Sequence, residues 1–306
     1  MKPIKHKSIA FSVFFYLFCL IYYVALIPPC LATERAAVGL GSRTIQGTSL
    51  PTDEINAQIQ VITHILDLAQ NTCYLGRNYA TYNFHGAGTT PQNIYEAASG
   101  CGHEAAIVFH VGHGGWNYIW GQQQWCIESD NGPLVYDMEI YPHSEQKNVF
   151  FTFLWSCHQG DVIGGNHLIS GRPYGMPHGW RHSYRLSNDG YVNPWGDGLF
   201  IGFEGAAPHL TQQMAGVNNA GENFVMNFYS EAFKMGYRVI EALDNATRLT
   251  FPPASGWDTF DKCIFYKGYT LPSGNTGRMV VYGFALLELY KYGVTGGGGG
   301  GIPIPD

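Results

Sequence analysis

Ala105-Ala106-Ile107-Val108-Phe109-His110-Val111 runs into Gly112-His113-Gly114-Gly115, and Val149-Phe150-Phe151-Thr152-Phe153-Leu154-Trp155 runs into Ser156-Cys157-His158-Gln159-Gly160. Each is a continuous apolar run of strand length closed by Gly or a polar turn, the pattern of a strand buried on both faces of a sheet. Each delivers a reactive side chain, His113 or Cys157, at its exit. In open α/β sheets the loops beyond the strand ends are where ligands bind. A thiol and an imidazole presented side by side on such loops are the parts of a cysteine-nucleophile hydrolase.

Outward from these strands, residues 53–70 place Ile55, Ile59, Ile62, Ile65 and Leu66 on one helical face, with Asp53 and Glu54 favouring the N-terminus. Residues 33–50 read as a lead-in strand or extended segment, 71–90 as a Tyr/Asn/Gly loop, and 91–98 as a short helix opened by Pro91. Residues 116–128 read as a hairpin, 198–202 and 279–284 as strands, and 223–235 and 237–249 as helices. No periodic element stands out over 164–197, and a loop that long inside a compact domain is functional or disordered. Strands interspersed with helices predict an α/β fold with a mainly parallel, helix-covered sheet.

Lys2, Lys5 and Lys7 precede an uncharged stretch over residues 9–27, followed by Pro28-Pro29-Cys30-Leu31-Ala32. This is the pattern of a signal peptide spanning residues 1–32. The 19-residue stretch also nears the ~20 residues that cross a bilayer, so an uncleaved anchor is the alternative, and only then would a membrane be a partner. In either case the rest of the chain is expected outside the cytoplasm, secreted or anchored. Residues 33–295 form one expected catalytic domain, and the six glycines of 296–301 begin a flexible tail to residue 306.

Without the leader, 14 basic residues face 23 acidic ones, a net of −9. That excludes the basic face nucleic acid needs. Five cysteines remain, Cys73, Cys101, Cys126, Cys157 and Cys263. In an oxidising compartment four are expected to pair, leaving one reactive thiol, for which the position of Cys157 argues.

At these residues the chain resembles the caspase-fold cysteine peptidases, the group of caspases, legumains, gingipains, clostripain and separase. Their pattern is an apolar strand ending in His-Gly and a second ending in a small residue and Cys, with Gly three positions on. Here these are His113-Gly114 and Ser156-Cys157 with Gly160, and the spelling Gly112-His113-Gly114-Gly115 before Trp116 is nearest to gingipains. The resemblance spans roughly residues 105–250. It implies a three-layer caspase-like sheet covered by helices on both faces, and a peptide or protein substrate.

Cys157 is the expected nucleophile and His113 the acid and base, since an imidazole titrates near operating pH. The backbone N–H groups of Gly114 and Cys157 are the expected oxyanion hole. Alternation points His110 away from the face its neighbours use, while His158 is expected to line the cleft. Trp116 is a further substrate-binding candidate, and Arg181 and Asp197 are candidates for the specificity pocket in loop 164–197. For a third group orienting His113, Asp137 and Glu139 are candidates by position only, with solvated surface carboxylates as the plainer reading. No His-Glu-x-x-His or Cys-x-x-Cys spacing occurs, so neither metal nor cofactor is expected. The competing function is a catalytically silent binding protein of the same fold, using Trp116, Tyr118, Trp120 and Trp125 to hold peptide or carbohydrate.

Overall fold

Both diagnostic runs are strands, at Ala105–Val111 and Val149–Trp155, and every residue of each is buried. The computed structural model describes residues 32–74, 77–119, 122–130, 132–144, 148–161, 175–180, 198–252, 256–283 and 286–291. In chain order the elements begin with β1 (Ala32–Gly41), β2 (Thr44–Ile45), β3 (Thr48–Ser49), α1 (Thr52–Gln70), β4 (Arg77–His85), α2 (Pro91–Ala98) and β5 (Ala105–Val111). They continue with β6 (Gly114–Ile119), β7 (Gln122–Glu128), β8 (Leu134–Tyr136), α3 (Asp137–His143), β9 (Val149–Trp155) and α4 (Met176–Gly179). The last are β10 (Leu199–Gly205), α5 (Ala220–Phe233), α6 (Val239–Thr250), α7 (Ile264–Lys267), β11 (Tyr269–Thr270) and β12 (Thr276–Gly283).

Seven strands form one sheet in the order β11-β12-β10-β9-β5-β1-β4. From β4 through β10 the neighbours run parallel, while β12 and β11 close one edge antiparallel. The alternation of side chains divides the core in two. Ile107, Phe109, Val111, Phe151, Phe153 and Trp155 join Val61 and Ile65 of α1, Phe224 and Phe228 of α5, and Leu243 of α6. Ala106, Val108 and Leu154 face the other way, onto Ile94 of α2, Ile140 of α3, Met176 and Trp180 around α4, and Trp125 and Ile127 of β7. This sandwich is why neither run shows alternation in the sequence: each position has a buried face to meet. Phe153 sits edge-on to Phe109 at 5.7 Å and to Phe228 at 5.9 Å between ring centroids. The expected α/β architecture, mainly parallel with helices on both faces, is therefore the observed one.

Two expectations need correction. Residues 77–85, read as loop, are the edge strand β4. An edge position needs fewer apolar residues, so Tyr79, Tyr82 and Phe84 suffice for packing while Asn78 and Asn83 disguise the pattern. Within 164–197, residues 176–179 are not a bare loop but the short helix α4, and its Met176 and the following Trp180 are core residues. Residues 1–31 of the expected signal peptide, the glycine tail, Trp120, Arg181 and Asp197 lie outside the described residues, while Ala32, its expected last residue, begins β1. Among the described residues no helix is long and apolar enough to cross a membrane.

Candidate active site

Parallel pairing of β5 with β9 sets Val111 opposite Trp155, and Gly112 N donates to Trp155 O at 3.3 Å. His113 and Cys157 each lie two residues beyond that pair, on adjoining loops at one end of the sheet. The loops are in contact: a β-carbon added to Gly114 would come within 2.7 Å of Cys157 O, and closer still to the Gln159 amide nitrogen. Gln159, which is buried, donates that amide to both Cys157 O (2.9 Å) and Cys126 O (3.0 Å), tying the Cys157 loop to the hairpin.

Cys157 is half-buried, and the N–H of Ala207 points at its Sγ at 3.3 Å. The segment carrying Ala207 is firmly held. Tyr269 donates its hydroxyl to Ala206 O at 2.7 Å, and Trp155 its ring N–H to Pro208 O at 2.7 Å. The Glu54 carboxylate at the start of α1 takes the N–H groups of Leu210 (2.9 Å) and Thr211 (3.0 Å). His158 turns the chain with a positive φ of 62°, donates its N–H to Gly205 O at 2.6 Å and pairs its Nδ1 with Asp161 at 2.7 Å. Asp161 in turn accepts the N–H of Gly205 at 2.8 Å.

The hairpin after His113 has a register that matters for chemistry. Glu128 N donates to His113 O at 3.0 Å, and β6 then pairs with β7 from Gly114↔Ile127 to Ile119↔Gln122. In an antiparallel ladder, hydrogen-bonded and non-bonded pairs alternate. The first bond makes 113↔128 a bonded pair, so Gly115, Asn117 and Ile119 also bond inward. Gly114, Trp116 and Tyr118 are the non-bonded positions, whose N–H and C=O groups face away from β7. The N–H of Gly114 is thus left unused by the hairpin beside the Cys157 loop.

The same register reveals what the sequence reading missed. Glu128 stands directly across the ladder from His113, is 3% exposed, and its Oε2 has no hydrogen-bond partner. Burial pulls the His113 pKa below its usual value, the Glu128 charge counteracts, and His158 lowers it further. Burial raises the Cys157 pKa, opposed by the N–H of Ala207 and of Cys157 itself and reinforced by Asp161. Both net shifts favour neutral forms, so the resting pair is thiol and imidazole.

Of the other candidates, His110 is fully buried, bonded through Nδ1 to Ser156 Oγ at 2.9 Å, and its pKa is pushed down to about 3 by burial. Trp116 is exposed on β6 next to the site. Glu139 caps α3 by accepting Tyr136 N at 2.9 Å. Asp137 is no surface carboxylate: it is buried, accepts Gly175 N–H at 2.7 Å and so anchors the start of α4. Cys101, Cys126, Cys157 and Cys263 are all free, against the expected pairing of four, because Cys126 and Cys263 are packed as apolar side chains. Burial pushes the Cys101 and Cys126 thiols up to about 12 and Cys263 up to about 11. Cys73 is disulfide-bonded. Among the described residues no group of three or more His, Cys, Asp or Glu could hold a metal ion.

Asp137 carries a prediction for stability. Burial raises its pKa to about 6. The folded state therefore holds a proton that the unfolded chain, titrating near 4, has lost, and stability is gained as pH falls from 6 towards 4. Asp137→Asn removes that gain. Urea denaturation at pH 7 and pH 4 should show the variant losing about 2 kcal/mol more than the parent on acidification. Equal changes in both would show that Asp137 titrates normally.

No family model matches the chain, and no curated protein matches it. Among solved structures, the crystal structure of caspase-1 from Spodoptera frugiperda matches with 14% identity and a TM-score of 0.38, over 82% of this chain and 87% of that one. The observed sheet, seven strands and mainly parallel with helices on both faces, is consistent with a caspase-like α/β fold. The gingipain-like spelling around His113 stays a resemblance of the sequence.

Proposed function

We propose that the protein is an exported cysteine endopeptidase acting through Cys157 and His113. The observation that carries this reading is the juxtaposition at the ends of β5 and β9, where the Gly114 backbone abuts Cys157. Cys157 Sγ attacks the scissile carbonyl as its proton passes to the neutral His113. The tetrahedral oxyanion is met by the N–H of Gly114 and of Cys157, a contribution of typically 10²–10³-fold per donor. The imidazolium then protonates the departing amine, and the neutral imidazole finally takes a proton from the water that hydrolyses the thioester. Glu128, buried opposite His113, stabilises the imidazolium at the moment it forms.

A mixed peptide library incubated with the protein and read by mass spectrometry tests the reading. Cuts are expected, and they should disappear when iodoacetamide has alkylated Cys157. Cuts that persist in fully alkylated protein, or no cuts at all, would overturn it.

Glu128→Gln separates a charge effect from a structural one. Loss of the negative charge lowers the His113 pKa further, so the acid limb of the kcat/KM profile should move to lower pH. The plateau should meanwhile drop roughly tenfold, about 1.4 kcal/mol of lost imidazolium stabilisation. A lower plateau with an unmoved acid limb would assign Glu128 a structural role only.

A further inference from the structure

We infer that Glu54 is a positioning residue for Cys157: its buried carboxylate locks the strap 206–211 so that the N–H of Ala207 meets the sulfur as the thiol proton leaves. This role rests on Cys157 being the proposed nucleophile, while the contact with the sulfur is measurable without a substrate. The strap follows β10 at Gly205, whose φ of 72° ends the strand. Residues 206–209 belong to no helix or strand, so their backbone has to be held from outside. Ala206 N donates to Thr276 O at 2.9 Å, and Ala206 O accepts the Tyr269 hydroxyl. The Trp155 ring N–H reaches Pro208 O, and Glu54 takes the N–H groups of Leu210 and Thr211 together with the Thr211 hydroxyl at 2.9 Å. Between these anchors Ala207 directs its N–H at Cys157 Sγ, 3.3 Å away, and its carbonyl lies 3.9 Å from the same sulfur. One residue thus offers the thiol an acceptor and the thiolate a donor.

The chain gives Glu54 this task for a local reason. It is the third residue of α1 and 3% exposed. A glutamate there ordinarily reaches back to the N–H of the capping residue. The cap here is Pro51, which has no N–H to offer. The carboxylate turns to the strap instead, and three donors offset the cost of burying its charge. Bonds to a charged acceptor are roughly twice as strong as neutral ones, which makes Glu54 the firmest of these anchors. Its titratable neighbours are Glu222 of α5, whose pKa is raised by burial and by the Glu54 charge, and His209, with Nδ1 at 3.9 Å. Glu222 holds the strap through its backbone, donating its N–H to Leu210 O at 3.0 Å. Around Cys157 the titratable groups are His113, His158 and Asp161 on the two loops and Tyr269 of β11. Changes at Glu54 leave all four in place.

Alkylation of Cys157 by iodoacetamide across pH, read on the Cys157 peptide by mass spectrometry, follows the thiolate directly. Glu54→Gln keeps the side-chain length but loses one of its two acceptor oxygens, and Glu54→Asp keeps the charge but falls short of the strap. Both are expected to raise the midpoint of the profile. Below that midpoint Cys157 should react about tenfold more slowly, the loss of one hydrogen bond to a charged group. Ala207→Pro deletes the donor itself and should do the same. Glu222→Gln keeps its backbone bond and should leave the midpoint in place. A parental midpoint in either folded Glu54 variant, or an equal shift in Glu222→Gln, would overturn the inference. The parent supplies a test that no folding defect can blur. In protein carrying isotopically labelled alanine, the Ala207 N–H resonance should move downfield at the alkylation midpoint, and a resonance that stays still would overturn the contact. In peptide cleavage Glu54→Gln should lower kcat several-fold with KM little changed. A raised midpoint with unchanged kcat would overturn the role of Glu54 in the reaction. If the parent cuts no peptide, the peptidase reading fails, while a raised midpoint would still sustain Glu54 as the residue that holds the donor on the sulfur.

Discussion

Cys157→Ala and His113→Ala are each expected to cut kcat/KM for peptide cleavage on the order of 10³-fold or more, and the double variant to be no slower than the worse single. Non-additivity is the sharper half of this expectation. In the proposed mechanism the two side chains share one proton: the thiol is a poor nucleophile until the imidazole takes its hydrogen, and the imidazole has no role in attack without the thiol. The pKa directions make that dependence strong, since burial leaves Cys157 protonated and His113 neutral at rest. There is no preformed thiolate to retain activity once His113 is gone. Stopped assays on the three variants and the parent, with urea denaturation to show that each is folded, decide the matter. A His113→Ala protein keeping more than a tenth of parental activity would make His113 a structural histidine. Losses that multiply in the double variant would mean that the residues act in separate steps.

The parts legible in the sequence were those with a single physical demand on them. The strands 105–111 and 149–155 were read to within one residue, because burial on both faces leaves no tolerance for polar interruption. Helix α1 is equally plain from Ile62, Ile65 and Leu66, which are buried, whereas Ile59, expected on the same face, is exposed and Val61 takes a buried place instead. The paired helices appear as α5 and α6, with ends displaced by one to three residues because frayed ends carry little pattern. Strand β4 was hidden by Asn and Thr at a sheet edge, and α3 by Pro142 within a single short helix. Glu128 was hidden for a different reason. It is distant from His113 in sequence, and only the pairing of β6 with β7 brings it opposite. A hairpin register that pairs 119 with 122 places, by counting back, 113 opposite 128. The partnership of Gln159 with Cys157 O and Cys126 O had no such signal, since it depends on how the hairpin docks on the sheet.

Gly114→Ala is expected to damage both stability and activity, and Gly115→Ala beside it to be nearly silent. Neither glycine has a positive φ, so backbone strain does not separate them. Space does. A methyl group at Gly115 meets nothing within 4 Å, whereas at Gly114 it meets Cys157 O at 2.7 Å and presses on the Gln159 amide. That amide holds two carbonyls and has no room to retreat without releasing them. The collision must therefore be relieved by moving the Cys157 loop or the start of β6, and both carry the proposed oxyanion donors. Overpacking of this kind costs about 1–3 kcal/mol of stability. Displacing one donor should lower kcat/KM by about 10²–10³-fold, with KM little changed because the interaction strengthens only in the transition state. Gly115→Ala should stay within about 0.5 kcal/mol of the parent in stability, as surface changes do, and keep its activity. If Gly114→Ala unfolds early yet remains fully active at a temperature where it is folded, the clash is real but the N–H of Gly114 takes no part in catalysis. If it neither unfolds early nor slows, the docking of β6 against Cys157 is wrong. That would remove the juxtaposition on which the peptidase reading stands.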